Sequence, residues 1–104
     1  AILFDLGVIT HRVRPGPDDG YQACLNSHSD SIMEGSTGAG TGATVGKALG
    51  MARAVKGGLG TASLDLGDGL VVAAIVAVNA YGSVIDPDTG RVLAGPRMDS
   101  EAGV

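Results

Sequence analysis

Residues 70–79, Leu-Val-Val-Ala-Ala-Ile-Val-Ala-Val-Asn, are the most apolar run in the chain and restrict the fold more than any other feature. β-Branched residues dominate it and no charge interrupts it. At ten residues it is too short for a membrane span, which needs about 20. Both faces of an extended chain here are apolar: Val71, Ala73, Ile75 and Ala77 on one, Val72, Ala74, Val76 and Val78 on the other. A strand of that kind belongs between two layers of protein rather than at a wet surface. Asp68-Gly69 joins it to the run 59–66, and Asp-Gly between apolar runs is a strong hairpin signal. Residues 59–79 are therefore expected to form a buried β-hairpin in a central sheet. Asn79 stands where its second strand emerges.

Little else in the composition can build a core. Among 104 residues there are 18 Gly, no Trp, one Phe and two Tyr, so large side chains are scarce although 44% of residues are hydrophobic. A single small domain is the upper bound, and small domains bury proportionally less of their surface. Such a chain is better suited to being part of a larger assembly than to standing alone. The net charge of −4, without a Lys/Arg cluster, gives no footprint for nucleic acid. The lone Cys24 excludes an internal disulfide and suits a reducing, cytoplasmic setting. The start, Ala1-Ile-Leu-Phe, has neither an initiator Met nor a basic leader, and the chain is expected to be a fragment.

Residues 1–9 are expected to be a strand, followed by a polar, proline-broken loop over 11–20. Asp18 or Asp19 can cap a helix that runs to about Ser29, with one buried face carrying Tyr21, Cys24 and Leu25. Residues 34–60 are glycine-rich. Val45, Leu49, Met51 and Val55 argue for ordered, closely approached backbone there, since flexible Gly/Ser linkers carry few apolar residues. Residues 43–55 have helix-forming composition, but Gly46 and Gly50 each cost roughly 1 kcal/mol inside a helix. Asp86-Pro-Asp-Thr-Gly90 is a turn between Val84-Ile85 and Arg91-Val-Leu93, which makes a second, shorter hairpin. Residues 97–104 lack periodicity and are expected to be a mobile tail.

Most chemical motifs fail on inspection. A phosphate loop needs Gly five positions before the Gly of Gly46-Lys47 and Ser or Thr after the Lys, where this chain has Thr41 and Ala48. Gly38-Ala-Gly-Thr-Gly-Ala43 fits a loose dinucleotide fingerprint, but no hydrophobic strand precedes it. His11 and His28 have no partners at metal-ligand spacing and are expected to be solvated. Cys24, in a helix, is expected to be an inert, half-buried thiol. Asp65 and Asp68 serve the turn. Lys47, in a Gly-lined stretch, and Asn79, at the mouth of the apolar strand, remain. An Asn amide in such a place can donate to a developing oxyanion, while a surface Lys and a strand-end cap are the simpler roles.

Three segments together resemble a known family: Gly38-Ala-Gly-Thr-Gly-Ala-Thr-Val-Gly-Lys47, Lys56-Gly-Gly-Leu-Gly-Thr-Ala-Ser63 and Val76-Ala-Val-Asn-Ala-Tyr-Gly-Ser-Val-Ile-Asp-Pro87. They are similar to the L-aminopeptidase/D-esterase family, which includes β-peptidyl aminopeptidases and nylon-oligomer hydrolases. The opening residues 1–6 and Asp19-Gly-Tyr21 resemble it too. The resemblance implies an α/β fold, a four-layer αββα sandwich of the self-cleaving N-terminal-nucleophile hydrolase type, of which this chain is one part. It implies a precursor that cuts itself into α and β chains and an acyl-enzyme formed on the new N-terminal Ser or Thr of the β chain. It resolves 43–55 toward strand and loop.

The resemblance places Lys47 and Asn79 in the active site, Asn79 in the oxyanion hole and Lys47 assisting processing or polarising the nucleophile's surroundings. Phe4 falls where nylon-oligomer hydrolases resemble one another in having Tyr, so that hydroxyl is missing here; Phe4 and Tyr81 are expected to line the substrate pocket. This chain is expected to be an internal piece of the α chain, because Gly103-Val104 does not look like the scissile junction of relatives. The expected partners are a companion β chain from the same precursor, a small peptide or amide substrate and further copies in a homo-oligomer, with no membrane, cofactor or metal. The competing hypotheses are a nucleotide-binding module using residues 38–43 and an acyltransferase on a similar fold.

Overall fold

The fold is described from a computed structural model, which describes residues 3, 6–8 and 10–98. It contains one α-helix, three short 3-10 turns and six strands paired into three antiparallel two-stranded ladders among those residues. Strand β3 (Gly58–Asp65) pairs with β4 (Val71–Val78) from Gly58↔Val78 to Asp65↔Val71, which is the expected hairpin. Its turn follows from Asp68-Gly69: φ is 51° at Asp68 and 78° at Gly69, and the Leu70 N–H donates to the Gly67 carbonyl at 2.9 Å. Two successive residues at positive φ give the turn whose twist matches the flanking strands. Asp65 assists as a turn former, its Oδ1 accepting from the Gly67 N–H at 2.8 Å.

The burial expected of this hairpin is not supplied by the described residues. Val72 is 55% and Ile75 59% exposed, and Val71 and Val76, which lie on opposite faces, are exposed as well. Apolarity on both faces fits the strand for coverage from two sides, but no described layer lies over either. The outer edge of β3 is partly closed. Gly35 and Leu59 exchange two backbone hydrogen bonds of 2.8 Å, and the Thr61 N–H donates to Glu34 Oε1 at 2.8 Å.

What the chain does bury is the base of the glycine-rich segment. Ala43 and Val45 are fully buried and Thr44 is 6% exposed. Strand β1 (Thr44–Val45) pairs with β2 (Val55–Lys56), and between them run two 3-10 turns, Lys47–Leu49 and Met51–Arg53. Strand and turn thus replace the helix that composition permits, as the resemblance implied. Gly57 donates its N–H to the Ala43 carbonyl at 2.8 Å, tying this unit to the root of the hairpin. The second hairpin, β5 (Val84–Ile85) with β6 (Val92–Ala94), forms around Asp86-Pro-Asp-Thr-Gly90 as expected.

The expectations for the helix and for the opening segment need correction. Helix α1 spans Pro17–Leu25 with Gly16 as N-cap, so Asp18 and Asp19 lie in its first turn, where Asp19 Oδ2 accepts from the Gly16 N–H at 2.7 Å. No residue of α1 is buried, so it lacks the expected buried face and Cys24 is exposed rather than half-buried. Within the supposed opening strand, Leu6, Gly7 and Val8 lie in a turn; Ala1, Ile2, Phe4, Asp5 and Ile9 are outside the described residues. Of residues 97–104, expected to be a mobile tail, Arg97 donates its N–H to the Arg53 carbonyl at 2.7 Å, and residues 99–104 lie outside the described residues. No described helix is long and apolar enough to cross a membrane.

Candidate active site

Asn79 directly follows β4, and the strand delivers it to the buried β1 segment 35 positions earlier in the chain. Its Oδ1 accepts from the Thr44 N–H at 3.0 Å and from Lys47 Nζ at 2.8 Å. Lys47 Nζ also donates to the Asn79 main-chain carbonyl at 3.1 Å, so one ammonium grips both oxygens of the same residue. The Thr44 hydroxyl lies 3.5 Å from Oδ1, at the outer edge of hydrogen-bonding range. A main-chain N–H and a lysine ammonium can only donate, so the amide oxygen must face them. Nδ2 consequently points the other way, with its two N–H bonds on the opposite side of the side chain.

Gly46 makes this grip possible. It adopts a left-handed conformation, φ 70° and ψ 42°, that turns the chain sharply between β1 and Lys47. A Cβ on Gly46 would lie 2.4 Å from the Pro96 nitrogen and 2.5 Å from the Gly95 carbonyl carbon, so any side chain here meets backbone. The turn directs two consecutive N–H groups at the segment beyond Asn79: Gly46 donates to the Gly82 carbonyl at 2.8 Å and Lys47 to the Tyr81 carbonyl at 2.7 Å. Residues 43–47 therefore hold the 79–82 loop by side chain and backbone together. Lys47 and Asn79 are both half-buried, which strengthens these bonds relative to open water.

The structure brings together Lys47 and Asn79, two of the four residues expected at the site. Tyr81 joins them through its carbonyl only, and the residue is 70% exposed. Phe4 lies outside the described residues. Thr44 was not anticipated: its N–H is the second anchor of the Asn79 oxygen. That donor belongs to the backbone, so residue type carries no signal for it. No described Ser, Thr or Cys side chain is hydrogen-bonded to a His or Lys side chain. His11 and His28 are exposed as expected, with Asp30 3.9 Å from His28 Nδ1. No three His, Cys, Asp or Glu side chains converge at metal-binding range among the described residues.

The dinucleotide-type segment is explained by packing. Residues Gly38–Gly40 form a 3-10 turn, not the start of a helix that could receive a phosphate. Gly40 is buried, and a Cβ there would lie 2.4 Å from the Leu59 nitrogen, so its glycine serves contact with β3.

Comparison with known proteins gives a consistent set of relatives. The family model of peptidase family S58 matches residues 1–100. Uncharacterized aminopeptidases of Mycobacterium tuberculosis H37Rv and Mycobacterium bovis are each 43% identical over 90 residues, which is 86% of this chain and 24% of theirs. An uncharacterized aminopeptidase of Mycobacterium leprae is 38% identical over 97 residues, covering 86% of this chain and 25% of its own length. The chain thus spans about a quarter of the length of the curated relatives it matches.

Proposed function

The chain belongs to peptidase family S58, and from that premise we propose that it supplies the oxyanion-stabilising part of an amide hydrolase that removes N-terminal residues from small peptides. The observation that carries the proposal is the fixed orientation of Asn79. With Oδ1 held by Lys47 Nζ and the Thr44 N–H, the amide plane is fixed and its nitrogen lies on the side away from both donors. Preorganised donors of this kind stabilise the negative charge that develops on a carbonyl oxygen during acyl transfer. Lys47 adds to this by drawing electron density toward Oδ1, which makes the Nδ2 hydrogens better donors. The aminopeptidase designation of the relatives agrees in reaction class.

The nucleophile in this reading is the N-terminal Ser or Thr of a companion β chain released from the same precursor. Its hydroxyl oxygen attacks the scissile carbonyl carbon while its proton passes to the free α-amine. The carbonyl π pair moves onto oxygen beside Asn79 Nδ2. Collapse expels the leaving amine, which takes the proton, and leaves an acyl ester that water hydrolyses by the same route. The αββα sandwich belongs to this reading, with β4 as a central strand and a homo-oligomer as the working form.

Two measurements on the full-length protein test it. Asn79→Ala should lower kcat on a dipeptide roughly 10²–10³-fold, the effect of losing one oxyanion donor. An unchanged kcat removes Asn79 from the chemistry. Intact mass and N-terminal sequencing should reveal a second polypeptide beginning with Ser or Thr; a single uncut polypeptide with full activity would refute self-processing.

A further inference from the structure

We propose that Lys56 and Arg97 form a subsite for the C-terminal carboxylate of the peptide substrate, in a cavity that Thr44 also lines. This rests on the peptide-hydrolase reading above and adds to it a preference for peptides with a free C-terminus. The cavity encloses about 570 Å³, within the range of small-molecule sites. Its lining includes Thr44, Met51, Ala52, Val55, Lys56 and Arg97, and no Asp or Glu among the described residues.

Three observations converge on an anionic ligand. Thr44 and Lys56 are cross-strand partners in the β1–β2 ladder, which sets both side chains on one face with Cβ atoms about 4.5–5.5 Å apart. Each cation is steered by a single backbone carbonyl: Lys56 Nζ donates to Thr41, and Arg97 Nη2 to Ala52 at 2.7 Å. Arg97 is further fixed by its own N–H on the Arg53 carbonyl. Those bonds use one donor of each head group, leaving two N–H bonds on Lys56 and four on Arg97. Neither cation has a described carboxylate within 4.0 Å. Two positioned cations with surplus donors, lining a cavity with no acid among the described residues, match a carboxylate.

The placement also suits the reaction. Thr44 touches the cavity with one side of the residue and anchors Asn79 with its N–H, so the cavity begins one residue away from the proposed oxyanion donor. In a dipeptide the terminal carboxylate lies about one residue, roughly 3.5 Å of extended chain, beyond the scissile bond. A long Lys or Arg side chain spans the remainder.

The test is equilibrium titration of the full-length protein with a reduced-bond dipeptide, in which a CH₂–NH linkage replaces the scissile amide, and with its C-terminal carboxamide twin. Neither is cleaved, so the result does not depend on catalysis. The free carboxylate should bind about tenfold more tightly, as charge-assisted hydrogen bonds to two cations require, and the difference should shrink as salt is raised. Lys56→Gln combined with Arg97→Gln should bring the twins to within about threefold of each other, while Lys56→Arg should keep the preference. Equal binding of the twins by the unaltered protein, a preference that survives the double variant, or no binding of either would overturn the subsite. Failure to hydrolyse the parent dipeptide would instead count against the hydrolase reading, leaving the titration to decide the subsite.

Discussion

The base of the glycine-rich segment and the β3–β4 arm invert what their compositions suggest. Residues 43–47, which contain only two small aliphatic side chains, Ala43 and Val45, are buried or half-buried and connected to their neighbours by short hydrogen bonds. The arm is the most apolar part of the chain, yet most of it is exposed in both β3 and β4. Close approach of backbone, not bulk of side chain, creates the buried zone, because small residues let main-chain donors and acceptors meet directly. The arm has the bulk but lacks facing layers. Burial measures what lies opposite a residue as much as the residue itself.

The comparison can be broken most severely at Gly46. Gly46→Val combines a β-branched residue at φ 70° with backbone atoms within 2.5 Å of the new Cβ. Left-handed strain of about 1–2 kcal/mol and overpacking of about 1–3 kcal/mol or more would consume much of a typical stability margin. The expected outcome is aggregation or a much lower denaturation midpoint in the full-length protein. A variant with wild-type stability would show that the turn does not need this geometry.

The arm offers the next test. Ile75 is 59% exposed here, and an exposed aliphatic shortened to Ala changes stability by less than about 0.5 kcal/mol. If the rest of the full-length protein covers β4 as the αββα proposal requires, Ile75→Ala should instead cost about 2–4 kcal/mol in urea denaturation. A near-zero cost would leave that face open in the whole molecule and count against a central strand.

These contrasts also show which parts of the molecule were legible in sequence. Local devices were: the Asp68-Gly69 turn, the register it imposes and the Asp86–Gly90 turn each depend on residues next to one another. Burial of β4 was not, because apolar alternation states a requirement without saying whether the chain contains the residues that meet it. The helix was found, but Pro17 at its first position, with Gly16 as cap, starts it two residues earlier than an Asp18 cap would, and it ends at Leu25 rather than near Ser29. Lys47 and Asn79 stood out through their motifs and the family resemblance, whereas their direct contact across 32 positions depends on the Gly46 turn. Thr44 escaped notice because its contribution is mainly a backbone N–H, which no residue type advertises.

A smaller effect, confined to catalysis, is expected at Lys47. Lys47→Met removes the donor that grips Oδ1 and the Asn79 carbonyl, yet leaves the Thr44 N–H and the backbone bond to Tyr81 in place. Asn79 should then sample other rotamers, lowering kcat about 10–100-fold with KM nearly unchanged, as expected for loss of a contact that matters in the transition state. Lys47→Arg should recover part of that loss. A rise in KM at constant kcat would assign Lys47 to substrate binding instead.

The smallest effect lies in the turn of the second hairpin. Asp86 Oδ2 accepts from the Thr89 hydroxyl at 2.7 Å and Oδ1 from the Asp88 N–H at 2.9 Å. The Thr89 hydroxyl is the larger cause, and together these bonds hold the Asp86 carboxyl below its ordinary value. Because the folded value is depressed, the turn's contribution is fully present above the unfolded value, about 3.9, and is lost as pH falls through the folded one. A carbon-detected NMR titration of the full-length protein should find Asp86 ionised at acidities where an unbonded surface Asp is already protonated. Thr89→Ala should move its midpoint upward without altering the Lys47–Asn79 contact. An Asp86 midpoint unmoved by Thr89→Ala would mean that the Asp88 N–H alone sustains the depression, and that the turn owes its order to backbone geometry.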